Sequence, residues 1–287
     1  MTRYSKRVVN RISRRNVLRT TGLTLGISSL SGIGTAHKEQ NDTQRAQDNI
    51  HIAAHRGFRD VFPQNTIAAV KGSSRLKADR IEIDVVATSD GELVVFHDAR
   101  LDDLTNKEGL IAETPSEIVL QAEILDSGET IPTLAETLAA TRPSVMMNLE
   151  FKASDPLSWK EFAERALPIA SQYPGEYYVS SFDPDALRAV KDVDPSVDVA
   201  PIFGSNKDEN LEIARELDAK AVNPSTGVLD RDLVETAHEE GREVNVWTID
   251  SWREAQEPLE LGVDGLIADY PHMATFTTNN TYRTQPN

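Results

Sequence analysis

From Ile50 onward, short β-branched runs alternate with longer stretches whose apolar residues recur at helical spacing. The runs predicted as strands are Ile50–Ala54, Ile81–Val86, Val145–Phe151, Tyr177–Ser180, Val199–Phe203, Ala221–Asn223, Val244–Thr248 and Gly265–Ala268. Between them, helices are predicted over Asn65–Leu76, Leu134–Thr141, Trp159–Tyr173, Asp185–Val190, Asp208–Leu217, Asp230–Glu240 and Ser251–Leu261. Asn65 or Thr66, Asp183, Asp230 and Asp250 stand where N-caps belong, and Gly241 and Gly262 where helices end. Strand alternating with helix predicts a parallel α/β architecture, and eight such units predict a (β/α)₈ barrel. A ninth run, Leu93–Phe96 within Glu92–His97, follows Ser89-Asp90-Gly91, a strong hairpin turn. It is read as the return arm of a hairpin inserted after strand two, which brings His97 back beside Asp84.

Strands of a parallel barrel should be continuously apolar. This chain breaks the rule at His55-Arg56, Glu82-Ile83-Asp84, His97-Asp98 and Asn148-Leu149-Glu150-Phe151-Lys152. Side chains alternate along a strand, so Glu82 shares a face with Asp84, and Asn148 with Glu150 and Lys152. The intervening apolar residues pack outward on helices, which leaves the charged ones pointing into the barrel. Buried carboxylates need compensation, and an all-oxygen set of Glu82, Asp84 and Glu150 suits a hard cation such as Mg²⁺ or Ca²⁺. All of these groups fall at the C-terminal ends of neighbouring strands, where such barrels hold their chemistry. His51 lies at the other end of strand one and is expected to be structural; His238, on a charged helix, is expected to be solvated.

Charge divides the chain of 287 residues unevenly. It has 30 Lys+Arg against 46 Asp+Glu, a formal net charge of −16. Seven of the basic residues and none of the acids lie in residues 1–36, so the remainder carries −23. An acidic body argues against nucleic acid or an anionic membrane as its partner. The absence of cysteine excludes disulfides, zinc–thiolate sites and a cysteine nucleophile. Within residues 1–36, Ser13-Arg14-Arg15-Asn16-Val17-Leu18-Arg19 precedes a weakly apolar stretch, Thr20–Ile33, too short for a stable membrane span, and then Gly34-Thr35-Ala36. This resembles a twin-arginine (Tat) export signal, which implies the Tat export machinery as a partner, cleavage near Ala36 and an extracellular destination. Residues 37–49 and 276–287 are polar and read as a linker and a tail around a domain of 50–275. Asn41 and Asn279 stand in weak N-glycosylation patterns.

The ordered set His55-Arg56-Gly57, Pro63-Gln64-Asn65-Thr66, Glu82-Ile83-Asp84-Val85, His97-Asp98, Pro132-Thr133-Leu134, Glu150-Phe151-Lys152, Val246-Trp247-Thr248 and Asp269-Tyr270-Pro271 resembles glycerophosphodiester phosphodiesterases. The resemblance implies a phospholipase-C-like barrel that hydrolyses glycerophosphodiesters to glycerol 3-phosphate and an alcohol. Carried over by position, it makes Glu82, Asp84 and Glu150 metal ligands, His55 and His97 the acid–base pair, and Arg56 and Lys152 phosphate contacts. Trp247 is either a wall for the glycerol or alcohol, or a barrel-core aromatic. Asp269 is assigned no role beyond orientation. Gln64 departs from the family, which usually has Glu there, and removes one negative charge. Two other functions are weighed: lysophospholipase-D-like attack on lipid diesters, and capture of glycerophosphodiesters without catalysis. Specificity is expected to lie in loops such as Arg100–Thr130 and Gly204–Asn210.

Overall fold

The computed structural model describes residues 50–271 and 273; the expected export signal, linker and tail, with Asn41 and Asn279, lie outside the described residues. The strands are β1 (His51–Ala54), β2 (Arg80–Ala87), β3 (Leu93–Val95), β4 (Met146–Ala153), β5 (Tyr177–Ser181), β6 (Val199–Phe203), β7 (Ala221–Pro224), β8 (Glu243–Ile249) and β9 (Gly265–Ala268). Their order is β1-β9-β8-β7-β6-β5-β4-β2-β3, and a further β1–β2 pairing closes the ring. Eight parallel strands therefore form the barrel, and β3 pairs antiparallel with the C-terminal end of β2, beyond the part of β2 that pairs with β1.

The helices are α1 (Ile67–Arg75), α2 (Ser116–Val119), α3 (Leu134–Ala140), α4 (Trp159–Ala170), α5 (Pro184–Val193), α6 (Lys207–Glu216), α7 (Arg231–Glu239) and α8 (Gln256–Leu261). Ile81, Ile83, Val85, Met147, Leu149 and Phe151 are buried in the layer between the barrel and these helices. Their alternation with Glu82, Asp84, Asn148 and Glu150 turns the polar set inward, as the period of two requires. Thr66, not Asn65, caps α1: its hydroxyl accepts from Ala69 N. Asp183 and Asp230 cap α5 and α7 as expected.

Two expectations fail locally. The last helix begins at Gln256, not Ser251, and Asp250 does not cap it: the N-cap residue is Ala255, with no side-chain bond. Residues 251–255 form turns that lead into it. The long segment between β3 and α3 is also more organised than a loop. It contains a 3₁₀ turn (Ile111–Glu113), α2 and a satellite core of Phe96, Leu101, Ile111, Val119, Ile124 and Ile131. Those residues lack a regular period, which hid the packing from the sequence.

His51 is structural, as expected. Its Nε2 lies 2.7 Å from Asn245 Oδ1 at the N-terminal end of the barrel. Burial, reinforced by Arg80 and opposed by Glu243, pushes its pKa down to about 4. An unfolded histidine titrates at about 6.5, so between the two values the unfolded chain binds more protons. His51 therefore costs no stability above about pH 6.5 and as much as about 3 kcal/mol as the pH falls to about 4. Urea unfolding at pH 7 and pH 4.5 should show a smaller acid loss for His51→Gln than for the unaltered chain. Equal losses would sink this assignment.

Candidate active site

Register brings the groups together. In the β2–β4 pair, Glu82 lies opposite Asn148 and Asp84 opposite Glu150. Oxygens of Glu82, Asp84 and Glu150 lie within 4.8 Å of one another, and all three residues are buried. Between β1 and β9, Ala54 pairs with Ala268, so the next residue on each strand, His55 and Asp269, meet. His55 Nδ1 lies 2.6 Å from Asp269 Oδ1. Asp269 Oδ2 accepts from Arg59 Nε at 2.9 Å, so one wholly buried carboxylate fixes two side chains. The hairpin works as expected: Phe96 N donates to Asp84 O, and His97 follows with Nδ1 2.5 Å from Asp98 Oδ1.

Arg56 sits in a short 3₁₀ turn (His55–Gly57) with a left-handed backbone, φ 49°. That turn aims its N–H at Glu82 Oε2 (2.8 Å) while its side chain reaches Gln64 Oε1 (2.8 Å) and lies 3.4 Å from Asp84. Gly57 follows at φ 75°, where a Cβ would approach Ala69 Cβ to 2.6 Å, so only glycine fits. Gln64 thus touches Arg56 and spares its charge. Asn65 donates its amide to Asp84 Oδ2 at 2.8 Å. Lys152 is the extra residue of a β-bulge: Val85 pairs with Phe151 and Val86 with Ala153. Bulges redirect side chains beside functional sites, and here Lys152 Nζ lies 2.8 Å from Glu150 and 3.7 Å from Asp84.

A cavity of about 300 Å³ opens above the cluster, lined among others by His55, Arg56, His97, Lys152, Phe182 and Trp247. Trp247 lines this cavity and is also packed in place. Its Nε1 donates to Asn223 O, and its ring meets Phe182 edge-on at 5.3 Å. Nothing along the chain marks Arg59 or Phe182, since neither interrupts a strand pattern. Asn65 and Asp98 lie within the Pro63-Gln64-Asn65-Thr66 and His97-Asp98 motifs, but their partners are distant or depend on side-chain direction. His238 is exposed, as expected, and its Nε2 lies 2.8 Å from Asp264 Oδ2.

The electrostatics follow from burial. Burial, then Asp84 and Glu150, drives the Glu82 carboxyl well above its ordinary range. Burial and Asp84, opposed by Lys152, push Glu150 up to about 7. Burial also favours protonated Asp84, but Arg56, His97, Lys152 and Asn65 outweigh it and hold that group low. Among the described residues, the cations beside these three carboxylates are Arg56 and Lys152. Glu82 Oε1, moreover, is buried without a hydrogen-bond partner among the described residues. An acceptor without a donor, in an all-oxygen cluster, is what a hard cation fits. A bound cation would also reverse the upward shifts of Glu82 and Glu150.

Burial lowers the pKa of both histidines. At His55 the Asp269 bond opposes that shift, while Arg56 adds to it. Asp269→Asn should therefore lower the His55 pKa further. A ¹H–¹³C NMR titration of the imidazole would read the change, and an unmoved or raised midpoint would contradict this bond.

Residues 55–273 match the model of the glycerophosphoryl diester phosphodiesterase family. A glycerophosphodiester phosphodiesterase of Caldanaerobacter subterraneus is 33% identical over 77% of this chain and 94% of its own. One from Bacillus altitudinis is 30% identical over 78% and 96%. A phosphodiesterase of Oleispira antarctica, solved with its product sn-glycerol 3-phosphate, superposes with a TM-score of 0.75 at 25% identity, over 80% of this chain and 97% of that one. With its closed barrel, its inward carboxylates and this match across the whole domain, the chain belongs to the glycerophosphoryl diester phosphodiesterase family of phosphoric diester hydrolases.

Proposed function

We propose that this protein hydrolyses glycerophosphodiesters to glycerol 3-phosphate and an alcohol, with a divalent metal ion and a His55/His97 acid–base pair. The observation that carries this reading is the joint geometry of the cavity: three clustered carboxylates, two histidines each held at Nδ1 by a carboxylate, and two cations beside them. The family relationship supports the same chemistry.

Glu82, Asp84 and Glu150 would hold the ion, Mg²⁺ or Ca²⁺. When bound, it supplies Lewis-acid polarisation of the phosphoryl oxygens. Arg56 presents a planar guanidinium, fixed by Gln64, to the same anion, and Lys152 adds a point charge. Asp269 and Asp98 occupy the Nδ1 side of His55 and His97, which leaves each Nε2 to exchange protons with the substrate. One imidazole takes the proton of the attacking hydroxyl, from water or from the substrate's glycerol, and the other protonates the departing oxygen. Depressed histidine pKa values keep both rings largely neutral near pH 7 until a proton is handed over. Trp247 and Phe182 give the glycerol or alcohol carbons an apolar wall. The twin-arginine pattern at Arg14-Arg15 supports export of the folded enzyme, with the acidic body facing the outside.

Hydrolysis of glycerophosphocholine should require Mg²⁺ or Ca²⁺ and stop on addition of a chelator. Full activity in excess chelator would refute the metal requirement. His55→Ala and His97→Ala should each lower kcat at least ~100-fold; an unchanged rate in both would refute the acid–base pair. Turnover of lysophosphatidylcholine in preference to glycerophosphocholine would instead mark a lipid diesterase, and tight binding without product a capture protein. Arg14→Lys with Arg15→Lys should hold the protein inside the cell, as judged by fractionation.

A further inference from the structure

Asn148 is the one inward polar residue of β4 that the proposed chemistry leaves without a task. Its side chain is completely buried, yet it lines the floor of the catalytic cavity. Ser180 Oγ donates to its Oδ1 at 2.7 Å, which turns Nδ2 away from β5. That Nδ2 has no hydrogen-bond partner among the described residues, and neither has Glu82 Oε1 on the facing residue of β2. Buried polar groups are almost always satisfied, so two orphans side by side on paired strands need a common account.

A cation beside Glu82 satisfies Oε1 but repels an amide N–H. A half-turn of the Asn148 amide removes the conflict. It exchanges Oδ1 and Nδ2, and the Ser180 hydroxyl bonds either one because it both donates and accepts. Nδ2 then donates to Ser180 Oγ, while Oδ1 takes the place Nδ2 held, on the residue paired with Glu82, and is free to meet a cation held there. Neutral amide oxygens are ordinary ligands of Mg²⁺ and Ca²⁺. Such a ligand adds a bond without adding a charge to a cluster that already holds three carboxylates against Arg56 and Lys152.

We infer that Asn148, turned and held by Ser180, supplies a fourth protein oxygen to the metal site of Glu82, Asp84 and Glu150. This rests on the metal-dependent reading above and adds to it a ligand from the layer below Asp84 and Glu150. Ser180 acts only through Asn148 and is a positioning residue.

Ion binding tests this apart from turnover. Calorimetric titration of the full chain with MgCl₂ or CaCl₂ should show Asn148→Ala weakened by about tenfold or more. Tb³⁺ luminescence decay in H₂O and D₂O counts the waters on a bound ion, and Asn148→Ala should add one. Asn148→Asp retains the shape and an oxygen, so it should bind at least as tightly as the unaltered chain, with the same water count. Should Asn148→Ala not fold, Asn148→Asp and Ser180→Ala decide. Ser180→Ala should weaken the ion a few-fold without changing the count. Unchanged affinity and water count in Asn148→Ala, an extra water in Asn148→Asp, or full affinity in Ser180→Ala would each overturn the assignment. An unaltered chain that binds neither ion would instead refute the metal site as a whole, as would equal binding by Glu82→Gln.

Discussion

Three carboxylates buried within 4.8 Å of one another govern the active end of this barrel. Such a cluster is costly unless opposite charge lies close by. Arg56 and Lys152 provide part of it, and both reach their places through unusual backbone. Arg56 needs a left-handed turn with Gly57 packed hard against Ala69; Lys152 needs a bulge in β4. The remaining imbalance suits a divalent cation, and beyond that the negative charge of a phosphodiester. An acidic protein can thus bind an anionic substrate, because the decisive charges are local and shielded from the solvent that screens the rest.

Around that cluster the fold supplies rigidity by pairing. Asn65 holds Asp84, Gln64 holds Arg56, Asp269 holds His55 together with Arg59, and Asp98 holds His97. Every partner comes from a strand end or the loop just beyond it. The barrel below is packed against a layer rich in buried apolar side chains, so the inward residues have little freedom to relax. Preorganisation of this kind lets the charges act on a transition state without first reorienting.

The hairpin after β2 shows how one insertion serves this arrangement. A return arm of only three residues carries the chain back along β2, and Phe96 bonds to Asp84. His97 is thereby delivered to the cavity from a segment that belongs to no barrel strand. The satellite core that follows buries Phe96, Leu101 and Ile111 and anchors the arm from outside.

Much of this was legible in the sequence, for identifiable reasons. Strand alternation is local and strict, so placing Glu82, Asp84, Asn148 and Glu150 on inward faces required no tertiary information. The Asp-Gly turn foretold the hairpin, and the polar interruptions marked the end of the barrel where the cavity opens. Only the folded chain settled the rest. Whether Asn65 caps a helix or holds a carboxylate depends on the packing of α1 against β2. That Lys152 is a bulge residue depends on the register of two strands far apart in sequence, β2 and β4, with Val85 and Phe151 a pair. The partnership of His55 with Asp269 exists because the last strand closes the ring against the first. The sequence by itself determined which chemical groups enter the barrel, because that follows from neighbours along the chain; which of them touch was decided by ring closure and register, which only the tertiary structure sets.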